Sequence, residues 1–156
     1  MAPDLVYLRA LTGGIGENMH LICYIDGASL GNPGPAGAGV YIVDESGREI
    51  LRCSRRLGVG TNNVAEYSAL IEALKQAHRL GAKSLEIRSD SQLLVRQMTG
   101  EYRVKNPGLA RLFLEAQRLL EKFDDVKFVH IPRSLNKVAD RLAKIAAAAA
   151  AASQKS

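Results

Sequence analysis

The chain has 156 residues, enough for one domain with a substantial core. Lysine and arginine number 21 against 16 aspartates and glutamates, a net charge of +5 that suits a polyanionic partner without requiring one. No apolar run is long enough to span a membrane, and the only cysteines, Cys23 and Cys53, exclude a disulfide framework and a Cys/His zinc site and point to a reducing, cytoplasmic setting.

Residues 1–18 lack a basic start, a sustained apolar stretch and a cleavage site. Gly13, Gly14 and Gly16 loosen them, so they read as a flexible N-terminal extension, with Met19 a candidate natural start. Leu21–Ile25 reads as a short apolar strand, Ala36–Val43 as a Gly/Ala-rich second and Arg48–Leu57 as a third, with Asp44-Glu45-Ser46-Gly47 as the turn. Val64, Tyr67, Leu70, Ile71, Leu74 and Ala77 repeat at helical spacing, which predicts a helix over 63–79 stopped near Gly81. A fourth strand follows over 84–89, then helices over 91–98 and 107–123, the second opened by Pro107. A fifth strand over 126–131 leads to a last helix from Ser134, prolonged by the alanine run 146–152. Helical crossovers between the third, fourth and fifth strands predict an α/β fold: a five-stranded mixed sheet flanked by helices.

The acids Asp26, Glu66, Asp90 and Asp140 stand at strand ends or near helix starts, where they can converge on one sheet edge. Converging carboxylates repel each other and call for hard cations, because Mg²⁺ takes oxygen ligands. Singly, each is as well explained as a cap, turn or surface residue.

Three of the acids lie in extended motifs: Asp26-Gly-Ala-Ser-Leu-Gly-Asn-Pro-Gly34, Thr61-Asn-Asn-Val-Ala-Glu66 and Asp90-Ser-Gln92. With Asp140 completing the order, the stretch from about Met19 to Ala148 resembles ribonuclease H type 1. The resemblance implies a ribonuclease H-like fold over 19–148, followed by a C-terminal tail at 149–156. It implies an endoribonuclease that hydrolyses the RNA strand of RNA–DNA hybrids, leaving 3′-hydroxyl and 5′-phosphate ends. Asp26, Glu66, Asp90 and Asp140 would hold two Mg²⁺ ions, with Mn²⁺ able to substitute. Ala28, Gly31, Asn32, Asn62 and Gln92 match positions that contact the RNA strand, and Thr61 and Asn106 positions that hold a DNA phosphate. Asn136 is placed with these substrate contacts. Turn and capping chemistry accounts equally for Asn32, Asn62 and Asn106.

Two departures stand out. The loop before Asp140 is short, and Arg133 fits the place of the family's mobile histidine better than His130 does, His130 reading as part of the fifth strand. The basic helix and loop that some members insert between the middle helices is absent. A monomer is expected. Activity on double-stranded RNA as well, and a hybrid-binding module without catalysis, are the alternatives.

Overall fold

The computed structural model describes residues 4–8 and 18–154. Its strands are β1 (Leu5–Leu8), β2 (His20–Ser29), β3 (Gly34–Asp44), β4 (Glu49–Gly60), β5 (Ser84–Ser89) and β6 (Asp125–His130). The helices are α1 (Asn62–Arg79), α2 (Gln92–Met98), α3 (Pro107–Leu120) and α4 (Lys137–Gln154), the last preceded by a 3-10 turn at Arg133–Leu135. The sheet order is β1-β4-β3-β2-β5-β6, antiparallel from β1 to β2 and parallel from β2 to β6.

The expected mixed sheet is present with a sixth strand. Leu5–Leu8 pairs antiparallel with β4, in register Leu5 to Ser54 and Leu8 to Leu51. Asp4 anchors it, through Arg55 at 3.2 Å and Arg56 at 3.2 Å. The expected flexible extension is therefore a strand in part, and its remainder, residues 1–3 and 9–17, lies outside the described residues. No helix among the described residues is long and apolar enough to cross a membrane.

Alternation along the strands splits the sheet into two faces. Cys23, Ile25, Val40 and Ile42 point to one face and pack with Tyr67, Leu70 and Leu74 of α1 in the main core. On the other face lies α4, whose Ala139, Ala143, Ala146 and Ala147 are buried. Here β3 presents glycines: a Cβ on Gly39 would lie 2.2 Å from the Ala139 carbonyl oxygen, and one on Gly37 2.4 Å from the Ala147 nitrogen. Helix and strand backbones thus touch, and only small residues on both sides permit it.

Side-chain caps fix the helix starts. Thr61 Oγ1 accepts from the Val64 N–H at 3.2 Å, Ser91 Oγ from Leu94 at 3.2 Å, and Asn106 Oδ1 from Gly108 at 2.8 Å. The Tyr67 hydroxyl donates to Gln97 Oε1 at 2.6 Å in the interior and ties α1 to α2.

Candidate active site

The parallel pairing of β2 with β5 runs from His20–Ser84 to Ile25–Ser89. Asp26 and Asp90 each follow the last of these pairs, so they emerge side by side at one end of the sheet. Glu66 reaches them from the second turn of α1, because Gly27 lets that helix close in: a Cβ there would lie 2.3 Å from the Ala65 carbonyl carbon. Carboxylate oxygens of Asp26, Glu66 and Asp90 all lie within 4.8 Å of one another. Asp140, in the first turn of α4, is the fourth acid, and its carboxyl and that of Asp26 act on each other.

This cluster sits largely out of water, with Asp26 only 3% and Glu66 9% exposed. Burial pushes Asp26 up to about 7; a hydrogen bond from Glu66 opposes this, while the charges of Asp90 and Asp140 add to it. Burial and then the charge of Asp26 hold Glu66 well above the usual carboxylate range. Burial alone would raise Asp140 too, but its bonds to Lys144 and Asp26 outweigh that and hold it low. Lys144 Nζ lies 3.0 Å from Asp140 Oδ2. Glu66 Oε2 is buried without a hydrogen-bond partner. Converging oxygen donors, one of them orphaned, fit a hard divalent cation.

The other sequence-predicted residues fall into two groups. Gly31, Asn32, Asn62, Gln92 and Asn106 are exposed, and Ala28 and Thr61 partly so. Asn32 Oδ1 accepts from the Asn62 N–H at 3.0 Å and pins the β2–β3 loop to the start of α1. Thr61 and Asn106 are helix caps, so their side-chain oxygens already have backbone partners.

Asn136 is different. It is 1% exposed, so its side chain faces the acids rather than solvent. Its Nδ2 donates to the Ile25 carbonyl at 2.8 Å and to Asp90 Oδ2 at 2.9 Å. The substrate contact expected of Asn136 gives way to a clamp that joins the start of α4 to the strand ends bearing Asp26 and Asp90. Its carbonyl accepts from the Asp140 N–H at 3.0 Å, so this one residue is bonded to two of the acids and to the residue before the third. The only sequence signal was an amide side chain one helical turn before Asp140. His130 closes β6, as expected, and its Nε2 lies 3.3 Å from the Asp90 carbonyl oxygen. Arg133 is exposed on the 3-10 turn, where its charge helps to lower Asp140.

Fold and site together define a class, and residues 24–146 match the family described as "Reverse transcriptase-like". Ribonuclease HI of Halobacterium salinarum is 45% identical over 128 residues, 82% of this chain and 63% of that protein. Bifunctional protein Rv2228c of Mycobacterium tuberculosis is 43% identical over 136 residues, 86% of this chain but 37% of that protein. The chain therefore spans less than two thirds of either relative. The solved N-terminal RNase H domain of the Mycobacterium protein superimposes with a TM-score of 0.85 at 40% identity, covering 88% of this chain and 99% of that one. LC11-RNase H1, solved in complex with an RNA/DNA hybrid, gives 0.80 at 44% identity, covering 83% and 98%. The chain belongs to the ribonuclease H type 1 family.

Proposed function

We propose that this protein is a metal-dependent endoribonuclease that hydrolyses the RNA strand of RNA–DNA hybrids, leaving 3′-hydroxyl and 5′-phosphate ends. The observation that carries the reading is the cluster of Asp26, Glu66 and Asp90, within 4.8 Å of one another and mostly buried. A pure binding module gains nothing from mutually repelling carboxylates beside phosphates. The hybrid-bound LC11-RNase H1, similar over most of this chain, supports the substrate.

Asp26, Glu66, Asp90 and Asp140 would together hold two Mg²⁺ ions. Two such ions supply Lewis acidity, activating a water and stabilising the leaving oxygen. Mn²⁺, with the same preference for oxygen, would substitute. The chain's own contribution is to hold the acids rigidly and to present the scissile strand across them. Exposed Asn32, Asn62 and Gln92 would meet the RNA strand and its 2′-hydroxyls, beside the close backbone of Ala28 and Gly31. Thr61 and Asn106, at the starts of α1 and α3, would meet a DNA phosphate. Arg133, exposed and acting on Asp140, would serve proton transfer or product release in preference to His130, whose ring already contacts the Asp90 carbonyl. Cys23 and Cys53 are buried free thiols, each pushed up to about 12 chiefly by burial, which suits a reducing cytoplasm, where the protein would act as a monomer.

A labelled RNA–DNA hybrid, the same RNA alone and the same RNA paired to RNA, each with Mg²⁺, Mn²⁺ or chelator, test the reading. Internal cuts in the hybrid that vanish with chelator are expected. Hybrid binding without cleavage in either metal would point to a binding module instead, and cutting of the RNA duplex would widen the substrate class. In the same assay Arg133→Ala should slow turnover more than His130→Ala.

Asn136→Ala should raise the Mg²⁺ concentration for half-maximal activity by about 10- to 100-fold, the usual cost of losing an outer-shell partner. It should also cost about 2 kcal/mol of stability, since buried groups lose their bonds. An unchanged Mg²⁺ requirement in a folded variant would remove Asn136 from the positioning role.

A further inference from the structure

The sequence offers Arg52, Arg55, Arg56, Lys137, Arg141 and Lys144 as cations to grip a polyanion in place of the missing basic insertion. The structure divides them. Arg52 pairs with Glu49 at 2.6 Å, Arg55 with Glu72 at 2.7 Å and Asp4 at 3.2 Å, and Arg56 with Asp4 at 3.2 Å. Those three are neutralised within the fold. Lys137 and Arg141 are exposed and have no acidic partner among the described residues. Lys144, also exposed, pairs with Asp140.

These three residues share one face of α4, at i, i+4 and i+7. That face points away from the alanines packed on β3. With Asp140, Ile145 and Ala148 they line a shallow groove of about 510 Å³. From Lys137 to Lys144 the stripe is about 10 Å long at helical rise, which matches the axial rise of about three phosphates of one strand. Asp140 belongs both to the groove and to the acid cluster, so the groove opens directly at the acids.

We propose that this groove is a phosphate track for the strand being cut, with Lys137 and Arg141 contacting the phosphodiesters that run away from the acids along α4. The proposal rests on the hybrid-cleaving reading above. The occupant follows from charge and continuity: the unpaired charges on this face are positive, and the strand gripped at Asp140 must leave along one side of it. Lys144 would contribute as its bond to Asp140 loosens.

The test compares wild type with Lys137→Ala/Arg141→Ala and with Lys83→Ala/Lys122→Ala. Lys83 and Lys122 are exposed and stand before β5 and β6, at the opposite end of the parallel strands from Asp90. Both double variants lose the same charge, and alanine suits the exposed positions of α4. KM for the hybrid is measured with Mg²⁺ across a salt series. The groove variant should raise KM about tenfold at low salt and flatten the slope of log KM against log salt by about 1.8, the value for two lost phosphate contacts. The control should keep the wild-type KM and slope. Hybrids with one uncharged methylphosphonate in the RNA should then show positions that weaken wild type but leave the groove variant unaffected. Equal losses in both double variants, or no change in either, would overturn the track in favour of diffuse charge or another partner for α4. Absence of hybrid cleavage by wild type would instead overturn the reading on which the track rests.

Discussion

Asp26→Asn should reduce hybrid cleavage by about 10³-fold, the scale of removing one preorganised electrostatic contact to a transition state, and should stabilise the metal-free protein. The second effect follows from linkage. Asp26 is raised from 3.8 to about 7 by burial and by the charges of Asp90 and Asp140. A raised carboxyl favours folding fully at pH values below its unfolded pKa, and that contribution is lost as pH rises toward the folded value. In chelator, wild type should therefore lose stability between about pH 4 and 7. Asparagine cannot ionise and escapes that loss. At pH 8 the variant should gain on the order of 2 kcal/mol, discounted because Glu66 shares the repulsion. That corresponds to about 6 °C in Tm. The gain should shrink at pH 5, where wild-type Asp26 is already protonated. Thermal melts at both pH values in chelator, beside cleavage assays with Mg²⁺, check both halves. A variant that cuts normally would sink the site assignment, and one no more stable at pH 8 than wild type would show that the cluster is not under repulsion.

Gly39→Ala is expected to be strongly destabilising, because the added methyl drives β3 into α4. The added Cβ would lie 2.2 Å from the Ala139 carbonyl oxygen and 2.6 Å from the Ala143 nitrogen, both backbone atoms of α4. Neither can yield without moving the helix. Overpacking of this kind costs about 3 kcal/mol at the upper end of its usual range, or about 9 °C in Tm. Asp140 follows Ala139 directly, so cleavage should fall with stability even at temperatures where the variant is fully folded. Gly58→Ala, where the added methyl meets nothing within 4 Å, is the matched control and should be neutral. A Gly39→Ala protein within about 1 kcal/mol of wild type would mean that α4 rides loosely on β3.

The four acids and the order of elements were readable because each acid lies in or beside a local pattern: an apolar run ended by aspartate, a capped helix start, a strand end before a serine cap. What escaped reading depends on contacts distant in sequence. Leu5–Leu8 is four apolar residues whose strand identity comes from pairing with β4 and from the bonds of Asp4 to Arg55 and Arg56, more than 40 positions away. Asn136 read as a substrate contact, and only the meeting of β2, β5 and α4 turns its amide onto Asp90. The glycines of β3 and the alanines of α4 were each visible as compositional bias, yet nothing local to either says that they face one another. The cations posed the opposite problem. Six candidates looked alike in sequence, and only their partners tell the neutralised from the available.

The in-step run of β2 beside β5 also sets where this molecule can accept change. Ile25 stands opposite Ser89, and the next residue on each strand is an acid. A residue inserted at 80–83 would lengthen a connection and leave that pairing untouched. The same insertion between Leu85 and Ser89 would shift one strand against the other and turn Asp90 to the opposite side of the sheet. Loops can therefore drift in length while two short strands are held to the residue, and an insertion scan across 80–89 should show activity ending abruptly where the ladder begins.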